Sequence, residues 1–303
     1  MNMWVLFSAN NVCHAGAAGL GLAFAEALLK SGIASQVCIL DLYNAEKTAQ
    51  ALQTQFPSSS IFGARCDVCD LPALAAAFDW AADCMGGREF TSRRSQHSAQ
   101  PPSLACTTDI SIVVNNAGIV ADEFDAFSKV IDVNVTAVIA GTKLAFEHMS
   151  ASGRADGVII NVASFGGLVP MPFNPVYAAS KAAVVHFSRS CEYMANGGGG
   201  GSKGPGTARV YALCPGFSDT AMVTGGLAAG AKGLDMAVSM QGGVLSPQWV
   251  ADHLLELVAN PKLRAGGHLL ALPQASYFRR KPVEVPVRVS SGKTVPLAAD
   301  GKL

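Results

Sequence analysis

Apolar positions along the chain switch repeatedly between two spacings. Stretches with the three-to-four-residue recurrence of an amphipathic helix alternate with short unbroken apolar runs of strand length. A glycine-rich turn leads into a helical run over residues 20–31, and 36–40 (QVCIL) reads as a buried strand. The alternation continues with a helix over 45–56, a strand over 61–66, a helix over 72–84 with Pro72 in its first turn, and a strand over 110–114. A long helix over 131–149 follows, then strand 157–162, helix 176–194, strand 208–213, helix 247–259 and a final strand at 268–272. Repeated β-α units whose strands are apolar throughout predict an α/β fold: a doubly wound parallel sheet with helices on both faces.

Two segments break the rhythm. Residues 86–108 are polar and rich in Arg and Ser, and 197–206 are nearly all glycine; both read as loop insertions in a single domain spanning 1–276. Each follows a helix and precedes a strand, which places it at the amino ends of the strands, away from where such sheets bind ligands. Residues 277–303, with Arg279, Arg280, Lys281, Arg288, Lys293 and Lys302 spaced by prolines, read as a mobile basic tail.

Composition narrows the function. Half of the 303 residues are hydrophobic and 15% are charged, so the chain can bury a large core. The formal net charge of zero gives no electrostatic reason to expect nucleic acid or an anionic membrane surface, and small neutral substrates fit better. The apolar residues 4–7 are too short for a signal-peptide core, and no run approaches a membrane span; a soluble cytoplasmic protein is expected. Eight scattered cysteines imply reduced thiols, and no metal is expected. Cys66 and Cys69 form a C-x-x-C without a second pair at zinc spacing, a pattern read as packing against a redox or metal alternative.

His14-Ala15-Gly16-Ala17-Ala18-Gly19-Leu20-Gly21 opens the first helix, and such a turn brings backbone N–H groups and a helix N-terminus against a pyrophosphate. Gly16, Gly19, Leu20 and Gly21 are the candidate contacts. About 20 residues on, Asp41 ends the next strand, where a carboxylate accepts from an adenosine ribose and repels a 2′-phosphate. With no Arg or Lys in the turn, NAD is expected over NADP; the competing reading is that Asp41 only caps the following helix. Asp67 and Val68 close the third strand and suit an adenine edge. Asn116, Ala117 and Gly118 follow the fourth, where small residues let the backbone approach a cofactor.

Tyr177-Ala178-Ala179-Ser180-Lys181 puts a phenol and an ammonium on one helix face, and a cation stabilises phenolate, whose ordinary pKa of ~10 is too high for a base at neutral pH. Ser164 lies just past strand 157–162, where a hydroxyl can donate to a developing alkoxide. Asn134 sits inside the long helix, and a buried amide there needs partners. It is either a clasp from helix to backbone or part of a water-linked proton path behind Lys181.

Taken together these motifs resemble the short-chain dehydrogenase/reductase family over roughly residues 15–272. The family's T-G-x-x-x-G-x-G falls on His14 to Gly21, its N-N-A-G on Asn115 to Gly118, and its catalytic Asn, Ser, Tyr and Lys on Asn134, Ser164, Tyr177 and Lys181. Its P-G turn is Pro215-Gly216, followed by Phe217, with Thr220 at the position that contacts the nicotinamide carboxamide. The resemblance implies a Rossmann fold, an NAD cofactor and a secondary alcohol or ketone substrate. It implies that Tyr177 takes the alcohol proton, Ser164 holds the oxygen, Lys181 also binds the nicotinamide ribose and Asn134 holds a relay water. Homodimers or homotetramers are usual in the family. Gly167-Leu168-Val169-Pro170, Pro175-Val176-Tyr177 and Cys214-Pro215-Gly216-Phe217 are similar to its NAD-dependent 15-hydroxyprostaglandin dehydrogenase branch, with Asn174 where that branch has a substrate-contacting Gln. Phe165, Leu168, Met171, Phe173, Phe217 and Met222 point to an apolar alcohol, lipid-like or steroid-like.

The start of the chain departs from the pattern. His14 and Ala15 replace the family's Thr and Gly, and the preceding Ser8-Ala9-Asn10-Asn11 make a poor buried strand, which leaves the central strand weak or missing. The turn is either a working variant or a damaged cofactor site. The alternative function is accordingly a catalytically weak dinucleotide-binding or scaffold protein that keeps the fold.

Overall fold

The computed structural model describes residues 2–6, 19–85, 110–121, 124–152, 157–195, 208–231, 233–260, 263, 268–271, 276–279, 287–288 and 294–295. Their elements run β1 (Asn2–Leu6), α1 (Gly19–Lys30), β2 (Gln36–Asp41), α2 (Ala45–Gln55), β3 (Ser60–Arg65), α3 (Leu71–Met85) and β4 (Ile110–Asn115). Then come α4 (Phe127–Ile131), a π-helical turn (Asp132–Thr136), α5 (Ala137–Ala151), β5 (Val158–Val162), α6 (Pro175–Ala195), β6 (Arg209–Pro215), α7 (Ala221–Ala228), α8 (Leu234–Gln241) and α9 (Pro247–Ala259). The last strands are β7 (His268–Ala271), β8 (Ser276–Arg279), β9 (Val287–Arg288) and β10 (Thr294–Val295).

The sheet order is β3-β2-β1-β4-β5-β6-β7-β8, parallel through β7. This is the doubly wound Rossmann arrangement in a single domain. It reverses direction between β1 and β4, where such sheets open a crevice at their carboxyl ends.

Period-two alternation divides the core between the faces. Val37 and Ile39 of β2, Ile160 and Val162 of β5, and Tyr211 and Leu213 of β6 pack with α1, α2 and α9. Cys38 and Leu40, Ile159, and Val210 face α3 and α5 instead. Because both faces are covered, β2, β4, β5 and β6 can be apolar almost throughout. Two of the polar exceptions, Asn115 and Asn161, satisfy each other. Asn115 Nδ2 on β4 donates to Asn161 Oδ1 on β5 (2.8 Å) and to Thr142 Oγ1 on α5 (3.2 Å). Asn161 Nδ2 donates to Ser188 Oγ on α6 (3.0 Å), so one buried polar chain ties two strands to two helices.

The structure corrects the expected start and end of the sheet. The central strand, expected to be weak or missing, is present at Asn2–Leu6 and pairs with both β2 and β4, while Ser8–Asn11 lie outside the described residues. The strand at 268–271 is not the last: Ser276–Arg279, partly inside the expected tail, adds an antiparallel edge strand, Leu269 pairing with Phe278. Val287–Arg288 and Thr294–Val295 pair with each other. Helices α7 and α8 occupy the Gly/Ala-rich stretch after Thr220, which sequence patterning left without elements. The insertions at 86–108 and 197–206, and the turn residues His14 to Ala18 with Gly16, lie outside the described residues. No helix among the described residues is long and apolar enough to cross a membrane.

Candidate active site

Asp41, Asp67, Asn116, Ser164 and Pro215 lie at or just past the carboxyl ends of β2 to β6, and Asn134, Tyr177 and Lys181 lie on the helical segments that pack beside them. Gly19, Leu20 and Gly21 begin α1. Gly19 has φ +63°, and a Cβ there would stand 3.2 Å from Thr220 Cγ2. Thr220 is the N-cap of α7, so the N-termini of α1 and α7 lie side by side, with their positive partial charge suited to a diphosphate. Asp41 ends β2, is 2% exposed, and accepts the Tyr43 N–H at 2.8 Å. It does not cap α2, whose N-cap is Asn44 in a left-handed conformation. Asp67 accepts the Cys69 N–H at 2.9 Å in the turn after β3, beside buried Val68.

Asn116, Ala117 and Gly118 follow β4 and are buried. A Cβ on Gly118 would come within 3.1 Å of Lys181 Nζ and 3.6 Å of Asn134 Oδ1, which brings three separate motifs to one point. Asn134 itself lies in the π turn and is fully buried. Its Oδ1 accepts the Ile119 N–H at 2.8 Å, and its Nδ2 donates to the Ile119 carbonyl at 2.9 Å and to Ser180 Oγ at 3.0 Å. The side chain is therefore the helix-to-backbone clasp. Ser180, which in turn donates to the Tyr177 carbonyl at 2.7 Å, completes it. Sequence reasoning gave Ser180 no role, although its placement three residues after Tyr177 on one helix face was a usable signal.

Tyr177 and Lys181 sit one turn apart on α6, with Lys181 Nζ 5.8 Å from the centroid of the Tyr177 ring. Lys181 is 3% exposed, and burial pushes its ammonium down to about 8. Its ammonium donates to the Val162 carbonyl at the end of β5, 2.9 Å away. Ser164 follows that strand, and its Oγ accepts the Gly166 N–H at 3.1 Å. That bond uses a lone pair and leaves the O–H available to donate.

Pro215 ends β6, and Gly216, Phe217 and Thr220 follow. Phe165, Leu168, Met171, Phe217 and Met222 are partly buried nearby in the chain, whereas Phe173 is half-exposed with its ring against Gly233. Burial pushes Cys66 and Cys69 up to about 11 and Cys214 up to about 12, and no metal-binding cluster occurs among the described residues. A surface groove of about 450 Å³ at the β3 edge, between Gln50, Gln53, Phe62 and Trp80, contains none of the candidate residues.

Comparison with known proteins bears on the family and the fold. A family model described as short chain dehydrogenase matches residues 94–228. The chain is 35% identical over 211 residues to 15-hydroxyprostaglandin dehydrogenase [NAD(+)] of Homo sapiens, covering 68% of this chain and 67% of that protein. Against the Bos taurus protein of the same name it is 31% identical over 276 residues, covering 87% and 91%. Among solved structures, an NADPH-dependent 3-quinuclidinone reductase from Rhodotorula rubra superposes with a TM-score of 0.66 at 22% identity, over 88% of this chain and 89% of that one.

Proposed function

The chain belongs to the short-chain dehydrogenase family, and from that premise we propose that it oxidises a secondary alcohol, or reduces the matching ketone, with NAD as cofactor. The observation that carries the reading is the Tyr177–Lys181 pair: a buried ammonium 5.8 Å from the phenol ring, at the strand ends beside Ser164.

The residues fit a nicotinamide dinucleotide. Paired helix N-termini at Gly19 and Thr220 suit its diphosphate, and Asp41 stands at the end of β2 for a ribose. A carboxylate there disfavours a 2′-phosphate, which supports NAD over NADP, as do the names of the mammalian relatives. When bound, the nicotinamide ring supplies the hydride acceptor or donor.

The chain's own residues supply the proton chemistry. Ser164 donates its O–H to the substrate oxygen, and Tyr177 takes the hydroxyl proton as the carbonyl forms, or returns it in reduction. Lys181 favours phenolate by its charge. The Asn134 amide spends both donors and one lone pair on Ile119 and Ser180, which fixes the π turn behind Lys181 and leaves one lone pair of its oxygen to accept from a relay water. The apolar side chains Phe165, Leu168, Met171, Phe217 and Met222 favour an apolar alcohol.

The test mixes purified protein with NAD and a panel of secondary alcohols, prostaglandins and steroids included, and follows reduced nicotinamide by absorbance. Turnover that falls about 10²–10⁴-fold in Tyr177→Phe, with NAD affinity kept, is the expected result. His14 and Ala15 in the glycine turn support a second reading, a scaffold that keeps the fold. NAD binding without turnover on any alcohol would favour it, and no NAD binding would overturn the enzyme reading.

A further inference from the structure

Gln241, the last residue of α8, belongs to none of the motifs, yet both ends of its amide are hydrogen-bonded. Its Oε1 accepts the Phe217 N–H at 2.7 Å, and its Nε2 donates to the Phe217 carbonyl at 3.0 Å and to the Gly243 carbonyl at 2.9 Å. One side chain thus pairs both backbone groups of Phe217, as a neighbouring strand would. The Leu245 N–H adds a second donor to the Phe217 carbonyl at 2.8 Å, and Ser218 bridges Leu245 in parallel. Gly216 is what admits the amide, since a Cβ there would collide with the Gln241 carboxamide.

The other end of α8 reaches the opposite side of the site. Its N-cap, Gly233, lies against the ring of Phe173, in the loop between Ser164 and Tyr177. Gly226 of α7 packs under Leu234 of α8, where a Cβ would collide with the leucine side chain. Helix α8 therefore spans from the loop after Pro215 to the loop before Tyr177, and Gln241 anchors it to the first through side-chain hydrogen bonds.

We infer that Gln241 is a positioning residue that transmits occupancy of the Pro215–Thr220 loop by the nicotinamide half of the cofactor to the packing of α7 and α8 against the Phe173 loop. The inference rests on the proposed NAD-dependent reading. A backbone held on both its N–H and its carbonyl cannot shift without carrying α8 with it, so ordering one orders the other.

Hydrogen–deuterium exchange of the α7 and α8 amides in the full chain tests this, with NAD and with ADP-ribose, which lacks the nicotinamide. In the wild type NAD slows exchange in α8 and ADP-ribose does not. In Gln241→Leu neither ligand protects α8, NAD affinity stays within about threefold, and KM for the alcohol rises about tenfold, as loss of about 1.4 kcal/mol implies. Gln241→Glu keeps the acceptor for Phe217 and lacks donors while ionised, so protection returns as pH falls and the carboxyl protonates. If the leucine variant does not fold, that pH-dependent recovery alone carries the test, and its absence overturns the inference. Equal protection by NAD in wild type and Gln241→Leu also overturns it. Calorimetry on the same samples separates the two levels, because absence of NAD binding to the wild type overturns the cofactor reading itself.

Discussion

Asn134 and Ile119 are joined twice, the amide oxygen of one accepting the backbone N–H of the other while its nitrogen donates to the same residue's carbonyl. The pairing holds the π turn against the segment that follows β4, beneath Lys181 and Gly118. Asn134→Leu leaves the Ile119 N–H and carbonyl dry, at about 1–3 kcal/mol for each unpaired group. The expected outcome is a lower denaturant midpoint with an unchanged slope, together with loss of turnover. A variant as stable as the wild type would show that water replaces the clasp.

The burial of Lys181 gives stability a distinct pH dependence. Its ammonium is held down to about 8 from an unfolded value of 10.5, so the unfolded chain binds more protons between those limits. The penalty for burying the charge is fully present below pH 8 and is relieved as pH rises through that window, by about 3 kcal/mol. Relative to Lys181→Met, the wild type should therefore gain stability between pH 8 and pH 10 in chemical denaturation. A difference that stays flat across the window would contradict a desolvated ammonium.

Asp41 governs the choice between the two nicotinamide cofactors in the proposed reading. Asp41→Ala removes the ribose acceptor and the repulsion of a 2′-phosphate together. The ratio of kcat/KM for NAD to that for NADP should fall by about tenfold to a hundredfold, the range of a charged hydrogen bond. Steady-state kinetics with both cofactors would measure it, and an unchanged ratio would remove Asp41 from the site.

The chain of buried amides and hydroxyls from Asn115 through Asn161 to Ser188 predicts a non-additive response. Asn161→Leu leaves one Asn115 N–H and the Thr142 O–H without their shared acceptor, whereas adding Asn115→Leu removes the first of these donors. The double variant should be less destabilised than the sum of the singles, by about 0.5–3 kcal/mol. Additive effects in a double-mutant cycle would mean the bonds are independent.

Much of this was readable in the sequence because it depends on local spacing. Tyr177 and Lys181 share a helix face by arithmetic alone, and the apolar runs of β2, β4, β5 and β6 declare strands buried on both sides. Asn134 stayed ambiguous because its partners, Ile119 and Ser180, come from two other segments. Gln241 gave no signal at all: what distinguishes it is the backbone of Phe217, reached across two helices. The central strand looks weak or missing in the sequence because the glycine motif presumes a strand directly before it and Ser8–Asn11 suit none. The chain instead takes Asn2–Leu6, whose Trp, Val and Leu suit a buried position better, and leaves residues 7–18 between strand and helix. The edge strand Ser276–Arg279 escaped notice because an antiparallel edge tolerates charge that an interior strand does not.

That displaced strand has a kinetic side. β1 precedes both of its neighbours in the chain, and its register joins Asn2 to Ile110 and Leu6 to Asn115 on one flank. The seam between the two halves of the sheet therefore cannot close until β4 has been synthesised, so an apolar strand must wait with one edge bare while α1 to α3 assemble. Nascent chains halted before residue 110 would expose that edge, and for them chaperone capture, not folding, is the expected fate.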